Sequence, residues 1–178
     1  GSWHYDVSVA GYKYNMTDIQ ASLGMTQLTK LSKMQKRRES IVRAYDKAFS
    51  KIDALQIPSN ENYGTHAWHL YILRLNLGKR SPIEPFGDDR GAERLQISRD
   101  QFIHELTARG IGTSVHFIPI HLHSYFKKKY GFKKHDFPVA YKEYQRMLSL
   151  PLYPAMTSSE VSRVISAVLE IVRKNKGL

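Results

Sequence analysis

The sequence predicts an α/β fold in which helices cover a small, mostly antiparallel sheet. Three stretches begin with the Ser/Thr-x-x-Glu/Gln pattern of a helix N-terminal capping box, and each continues with apolar residues at helical spacing. Between them lie short segments rich in branched and aromatic residues, which are typical of strands. The 178 residues are enough for one domain of ordinary size.

The first predicted helix begins near Thr17, which forms a capping box with Gln20. Its apolar residues continue well beyond the length of an ordinary helix and predict one face that is buried throughout. A helix this long is expected either to kink or to pack against another subunit or domain, and we expect self-association through it. The apolar residues are Ile19, Leu23, Leu28, Leu31, Met34, Ile41, Tyr45 and Phe49.

Residues 66–75 are dense in aromatic and branched side chains and predict the first strand. Alternation divides its side chains between two faces. One face carries Trp68, Leu70, Ile72 and Arg74, and the other carries His69, Tyr71, Leu73 and Leu75. The next segment, 78–96, is polar and interrupted by Pro and Gly, which predicts a mobile loop.

A second capping box, formed by Ser98 and Gln101, predicts a helix that stops at Gly110. Residues 112–118 predict a second strand, which Pro119 ends. These elements follow each other closely, so we expect the strand to join the same sheet.

Helices or helical turns are expected over 121–130 and 137–148, followed by an extended segment at 149–154. The third capping box, from Thr157 to Glu160, opens the last helix. The residues expected to be buried on this helix are Val161, Val164, Ile165, Val168 and Val172.

The composition restricts the classes of function. The formal charge is +11, but the basic residues are scattered over predicted water-facing surfaces, which favours solvated faces and the rim of an anionic ligand site over nucleic-acid binding. The absence of cysteine excludes disulfides and thiolate metal ligands. No apolar run reaches the ~20 residues that cross a bilayer, and no signal peptide is evident, so we expect a cytoplasmic protein without membrane insertion.

Residues 11–16, which we call the Asn15 loop, combine features of an anion site. Gly11 permits a tight turn, the Asn15 amide both donates and accepts hydrogen bonds, and Lys13 adds a positive charge. The predicted helix begins directly after the loop, and its free N–H groups and dipole favour a phosphate or carboxylate there.

The Asn15 loop and the start of the following helix resemble a signature of the DegT/StrS-type sugar aminotransferases, pyridoxal phosphate enzymes that aminate nucleotide-linked keto sugars. The resemblance implies that Asn15 contacts the phosphate of the pyridoxal 5′-phosphate (PLP) in the partner subunit of a homodimer. It places Tyr14 and Lys13 beside that cofactor and Tyr12 beside the substrate. The matching residues are 11–19, 19–24, 27–28 and 36–38.

The same resemblance implies how the parent enzyme is divided into domains. It assigns 1–16 to a linker and active-site loop and 17–178 to the small C-terminal domain of a fold type I aminotransferase. The family's Schiff-base lysine and the large domain that holds most of the cofactor precede this signature. We therefore expect this chain to contain no catalytic lysine and to be inactive alone.

Residues 110–121 contain a second candidate site. His116, His121 and His123 lie within eight residues, but they lack a recognised zinc spacing, so we expect no metal. The segment is similar to the family pattern Gly-Ile-x-x-x-x-His-Tyr-x-Pro-x-His, with Phe117 where tyrosine is frequent. The resemblance implies that His116 and His121 line the substrate pocket. The His-Leu-Tyr match at 69–71 and residues 149–154 are interpreted as packing.

The resemblance implies transfer of an amino group from an amino-acid donor, such as glutamate, to a nucleotide-linked 4-keto sugar in lipopolysaccharide or other cell-surface polysaccharide synthesis. UDP-4-keto-6-deoxy-N-acetylhexosamines and UDP-4-keto-arabinose fit the motifs equally well. Three alternatives stay open: a sugar dehydratase of the same fold with histidine in place of the lysine, a basic anion-binding module, and a dimerisation module.

Overall fold

The computed structural model describes residues 12, 14–59, 64–77 and 94–176. The chain divides into two units, Gly1–Met34 and Gln35–Leu178. Gly11 and Lys13 of the Asn15 loop, and residues 78–93 of the predicted mobile loop, lie outside the described residues.

Helix α1 (Asp18–Phe49) begins at the capping box that the sequence predicts. The backbone N–H of Thr17 donates to Gln20 Oε1 at 3.0 Å, and the N–H of Gln20 donates to Thr17 Oγ1 at 3.3 Å. These reciprocal hydrogen bonds satisfy two N–H groups that a helix start otherwise leaves without partners. The predicted start of the first helix is therefore confirmed.

The apolar residues of α1 differ in burial along the helix. The side chains of Leu23 and Leu28 are 62% and 68% exposed, whereas Tyr45 and Phe49 are fully buried. The prediction of one face buried throughout is wrong for the first half of α1. Helical spacing of apolar residues does not show what packs against them. The described residues of the first unit include no second helix or strand that could pack against the first half of α1.

The second unit contains a small antiparallel sheet in the order β1-β2-β3. Its strands are β1 (Leu55–Gln56), β2 (Tyr71–Leu75) and β3 (Met147–Leu150). Leu55 lies opposite Leu75, and Leu73 lies opposite Leu148. The predicted small antiparallel sheet is confirmed, and β2 is its central strand.

Strand β2 is shorter than the strand predicted over 66–75. It begins only at Tyr71, because the preceding residues adopt an irregular path in which Trp68 has a left-handed φ of 48°. The Trp68 N–H donates to His66 Nδ1 at 2.8 Å, a local bond that replaces sheet pairing. Trp68 is consequently buried although strict alternation would place it beside half-buried Ile72.

The strand predicted over 112–118 does not form. Only Ser114 pairs with the sheet, through an isolated antiparallel bridge to Ser149. Branched and aromatic composition favours extended backbone, but a ladder also needs a continuous partner. Here a single pair of residues supplies the contact.

The remaining helices are α2 (Arg99–Ala108), α3 (Ser124–Tyr130), α4 (Pro138–Arg146) and α5 (Ser158–Asn175), with a 3-10 turn at Ile120–Leu122. The capping boxes at Ser98 and Thr157 are both present. Gly110 follows α2 with a φ of 72°, as expected for a residue beyond a helix end. The helix predicted over 137–148 ends earlier, because β3 begins at Met147.

Both faces of β2 are covered. Tyr71, Leu73 and Leu75 are fully buried on the core face, as the alternation predicts. On the other face Arg74 Nε lies 3.1 Å from Glu143 Oε2 of α4. Helix α2 also contacts α5 and β3, so helices pack around the short sheet.

Tyr71 anchors the second half of α1 to this core. Its hydroxyl donates to Asp46 Oδ1 at 2.8 Å, and burial raises the pKa of both groups. The Tyr45 hydroxyl donates to the Pro151 carbonyl at 2.8 Å. The hydroxyl groups of both buried tyrosines therefore have hydrogen-bond acceptors, and these bonds hold the second half of α1 to the core.

Leu95 closes one end of the core. It is fully buried and forms isolated bridges with Leu77 and Lys176. The C-terminal end of the segment predicted as a mobile loop, 78–96, therefore includes a residue that packs into the domain.

Candidate functional site

The described part of the Asn15 loop presents its side chains to solvent. Tyr12 and Tyr14 are 86% and 85% exposed, and their ring centroids lie 5.8 Å apart. Asn15 is exposed between these rings and the start of α1. The loop thus offers two aromatic faces and one amide to a ligand.

The start of α1 supplies further donors to this surface. Because Thr17 and Gln20 cap each other, the backbone N–H groups of Asp18 and Ile19 are the ones left without an intrahelical acceptor. Together with the Asn15 amide they form a donor set that suits phosphate oxygens. The residues present therefore fit the phosphate group that the sequence resemblance implies.

His116 is half-buried and hydrogen-bonded through one ring nitrogen. Its Nδ1 lies 2.9 Å from Ser149 Oγ. The ring also contacts the edge of Phe117, whose side chain is 71% exposed, at 4.8 Å between centroids. His116 therefore has one ring nitrogen held by the protein, and among the described residues its Nε2 has no hydrogen-bond partner.

Ser149 is a hydrogen-bond partner of His116 that sequence reasoning missed. It lies on β3 and is 5% exposed, in the segment 149–154 that the sequence analysis interprets as packing. The sequence signal is a single hydroxyl between two leucines, Leu148 and Leu150, on an otherwise apolar strand. Its connection to His116 depends on the bridge to Ser114, which the local pattern does not reveal.

His121 lies in the 3-10 turn and is only 5% exposed. Its Nε2 lies 3.3 Å from the Lys134 carbonyl, and its ring centroid lies 4.9 Å from that of Phe137. These contacts hold the 3-10 turn against the residues that precede α4. The substrate contact expected of His121 stays a prediction, and its ring is much less accessible than that of His116.

Aromatic rings and lysines form an exposed surface around α3. A series of neighbouring ring contacts runs through Phe126, Tyr130, Phe132 and Phe137. Lys129 lies over Tyr125 and Tyr130, and Lys134 lies over Tyr141. The positive charge of this surface suits the rim of an anionic ligand site.

The described residues contain no group of three or more His, Cys, Asp or Glu side chains arranged to hold a metal ion. His116 and His121 instead bind Ser149 and the Lys134 carbonyl. In the same part of the chain, no helix is both long and apolar enough to cross a bilayer.

Comparison with known proteins extends the resemblance to nearly the whole chain. The sequence model of the DegT/DnrJ/EryC1/StrS aminotransferase family matches residues 2–169. The chain belongs to this family. The range that matches the DegT/DnrJ/EryC1/StrS family includes the Asn15 loop, the His116 segment and most of helix α5.

Two relatives show the extent of the similarity. Uncharacterized protein MJ1066 of Methanocaldococcus jannaschii is 47% identical over 176 residues, covering 99% of this chain and 42% of that protein. The spore coat polysaccharide biosynthesis protein SpsC of Bacillus subtilis is 45% identical over 173 residues, covering 97% and 41%. This chain therefore spans about two fifths of the length of these relatives.

Solved structures of the family share the fold. The PLP form of Spr1654 from Streptococcus pneumoniae, a candidate sugar aminotransferase, superposes with a TM-score of 0.73 at 30% identity, covering 97% of this chain and 40% of that one. The aminotransferase TlmJ from Streptoalloteichus hindustanus gives 0.68 at 25% identity, covering 97% and 41%. The expected fold type I aminotransferase domain is confirmed.

Proposed function

We propose that this chain is the C-terminal part of a PLP-dependent aminotransferase that transfers an amino group to a nucleotide-linked 4-keto sugar. Membership of the family and the 45% identity with SpsC support this proposal. SpsC is named for spore coat polysaccharide biosynthesis. The product would accordingly be an amino sugar for a cell-surface polysaccharide, or for lipopolysaccharide in an organism that makes it.

The observation that carries the proposal is the exposed Asn15 loop at the start of α1. We propose that the Asn15 amide and the N–H groups of Asp18 and Ile19 bind the phosphate of a PLP held mainly by the rest of the enzyme, with Tyr14 and Lys13 beside it. When bound, PLP carries the amino group and takes up the electron pair released at the substrate carbon. This chain contributes binding and orientation of the cofactor.

The sugar would lie against the second unit. We propose that Nε2 of His116, the ring nitrogen not bonded to Ser149, hydrogen-bonds an oxygen of the sugar or its diphosphate, and that the exposed ring of Phe117 supplies an apolar face. His121 is a second proposed substrate contact in this unit, and Tyr12 of the Asn15 loop is proposed separately. The lysines around α3 favour a nucleotide diphosphate, because the charges are opposite.

We propose that the parent enzyme is a homodimer and that the first half of α1 lies at its interfaces. Ile19 and Leu28 point in nearly opposite directions around a helix of ~3.6 residues per turn, and both are exposed. A helix that is apolar on several faces needs cover on more than one side. The remainder of the enzyme and a second subunit supply that cover.

The experiment that tests the proposed function uses the whole protein with PLP, glutamate and UDP-4-keto-6-deoxy-N-acetylhexosamine, and UDP-4-keto-arabinose as a second substrate. We expect mass spectrometry to detect a UDP-amino sugar and an equal amount of 2-oxoglutarate. Replacing His116 by Ala should raise the KM for the sugar about tenfold, because one hydrogen bond to an anionic or polar substrate is lost.

The matched control is His69→Ala, which removes an exposed imidazole from the segment before β2. Its KM should stay near that of the wild type. Loss of water from the sugar without amino transfer would identify a dehydratase instead. Absence of reaction with both sugars, in protein that binds PLP, would contradict the proposed substrate class.

A further inference from the structure

The side chain of Ser149 is buried. Ser149 is 5% exposed, and it points to the face of the sheet opposite to that of its β3 neighbours Leu148 and Leu150. A hydroxyl transferred from water to such a place destabilises the fold unless it forms a hydrogen bond. The hydrogen bond that it forms is the 2.9 Å contact with His116 Nδ1.

The backbone holds this hydroxyl in a fixed position. The Ser149 N–H donates to the Ser114 carbonyl at 2.7 Å, and the Ser114 N–H donates back at 3.3 Å. On its other side Ser149 lies opposite Ile72 of β2. The buried guanidinium of Arg99 donates to the Met147 carbonyl at 3.1 Å and so holds the start of β3.

The direction of the hydrogen bond between Ser149 and His116 follows from where the hydroxyl proton and the imidazole proton can lie. If His116 Nδ1 carried the proton, the Ser149 hydroxyl would accept it, and its own proton would be buried. In the part of the chain that the structure describes, that hydroxyl forms no hydrogen bond besides the one with His116. Donation from Ser149 to a bare Nδ1 satisfies both groups and leaves the ring proton of neutral His116 on Nε2.

We propose that Ser149 is a positioning residue that holds His116 in the Nε2–H tautomer. The ring of His116 then presents a donor, and its orientation is set before a ligand binds. A preset donor suits an oxygen acceptor such as a sugar hydroxyl, a keto oxygen or a phosphate. What His116 contacts rests on the proposed aminotransferase function, whereas the tautomer depends on this chain alone.

The tautomer is measured by nitrogen NMR of the imidazole in this 178-residue chain, at a pH high enough for the ring to be neutral. We expect His116 Nδ1 of the wild type to show the shift of an unprotonated nitrogen. In Ser149→Ala it should move toward the average of two exchanging tautomers. Ser149→Thr retains the hydroxyl and should restore the wild-type shift.

The matched control is Ser114→Ala, which removes an exposed serine hydroxyl from the bridge partner of Ser149 and keeps the backbone bridge. Its His116 shifts should equal those of the wild type. Unchanged shifts in Ser149→Ala, or an Nδ1–H signal in the wild type, would overturn the proposal whether or not the parent is an aminotransferase.

In the whole enzyme with the UDP-4-keto sugar, Ser149→Ala should raise KM about threefold to tenfold and change kcat less, because an oriented donor is lost while the reacting groups stay. Ser149→Thr should recover the wild-type KM. If the tautomer shifts as expected but KM does not, the positioning role holds and His116 is not a substrate contact.

Discussion

Both halves of α1 carry apolar residues, but these residues lie in opposite environments. Leu23 and Leu28 are exposed, whereas Ile41, Tyr45 and Phe49 pack into the core of the second unit. The pattern therefore predicts a helix and the need for burial. It does not predict which part of the protein, or which molecule, provides the cover.

The largest difference between the halves is expected in stability. Replacing Phe49 by Ala should lower the free energy of unfolding by about 3–5 kcal/mol, because a fully buried ring is replaced by a cavity. Leu28→Ala should change it by less than about 0.5 kcal/mol, because that side chain is already in water. Chemical denaturation of the two variants measures both values. Equal losses would show that this chain itself covers the first half.

The first half should instead affect association. Leu23→Glu places a charge on the exposed apolar surface of α1 and should weaken self-association of the chain at least about tenfold, because interface energy concentrates in a few buried residues. The control is Lys30→Glu, which changes the charge of the same helix by more but removes no apolar contact. Sedimentation velocity over a range of concentrations measures the dimer. A wild-type chain that stays monomeric throughout would contradict this interface.

The smallest expected effect is a pH-dependent change in stability at the Thr157–Glu160 capping box, which the uncharged Thr17–Gln20 capping box lacks. Hydrogen bonds from the backbone and hydroxyl of Thr157 lower the pKa of Glu160 below its ordinary value of 4.5. A carboxyl with a lowered pKa contributes stability above its ordinary pKa, and that contribution is lost as the pH falls through its folded-state pKa. Glu160→Gln should therefore be less stable than the wild type near neutral pH, and the difference should shrink on acidification.

Gln20 occupies the corresponding position in the capping box of α1 and carries no charge. The reciprocal change, Gln20→Glu, should introduce a carboxyl whose NMR titration is displaced to low pH in the same way. Unfolding free energies from about pH 7 to about pH 3 test the first variant. A constant difference between wild type and Glu160→Gln over this range would refute the explanation.

Local chemistry explains which elements could be predicted. The capping boxes at Thr17, Ser98 and Thr157 depend on residues three apart, and all of them form as expected. The strand predicted over 112–118 failed because pairing depends on a distant partner, of which only Ser149 is available. Sequence reasoning identifies local hydrogen bonds well and distant pairing poorly.

In the candidate site, too, local motifs could be recognised from the sequence and contacts between distant residues could not. His116 was identified by its motif, but its hydrogen bond to Ser149 joins residues 33 positions apart and could not be read from the motif. His121 was identified by the same motif, yet the structure buries it against the Lys134 carbonyl. A motif gives only the residue types, and the folded structure is needed to show which ring nitrogen of each histidine is hydrogen-bonded within the protein.

The central claim is that the Asn15 loop contributes to a cofactor site completed outside this chain. The most direct test is PLP titration of the whole protein, followed by absorbance, in the wild type, Asn15→Ala and Gln145→Ala. Gln145 is an exposed amide on α4 and serves as the control. We expect Asn15→Ala to weaken PLP binding about tenfold or more, because a hydrogen bond to a charged phosphate is lost, and Gln145→Ala to leave it unchanged. Equal PLP affinity in all three proteins would contradict the claim.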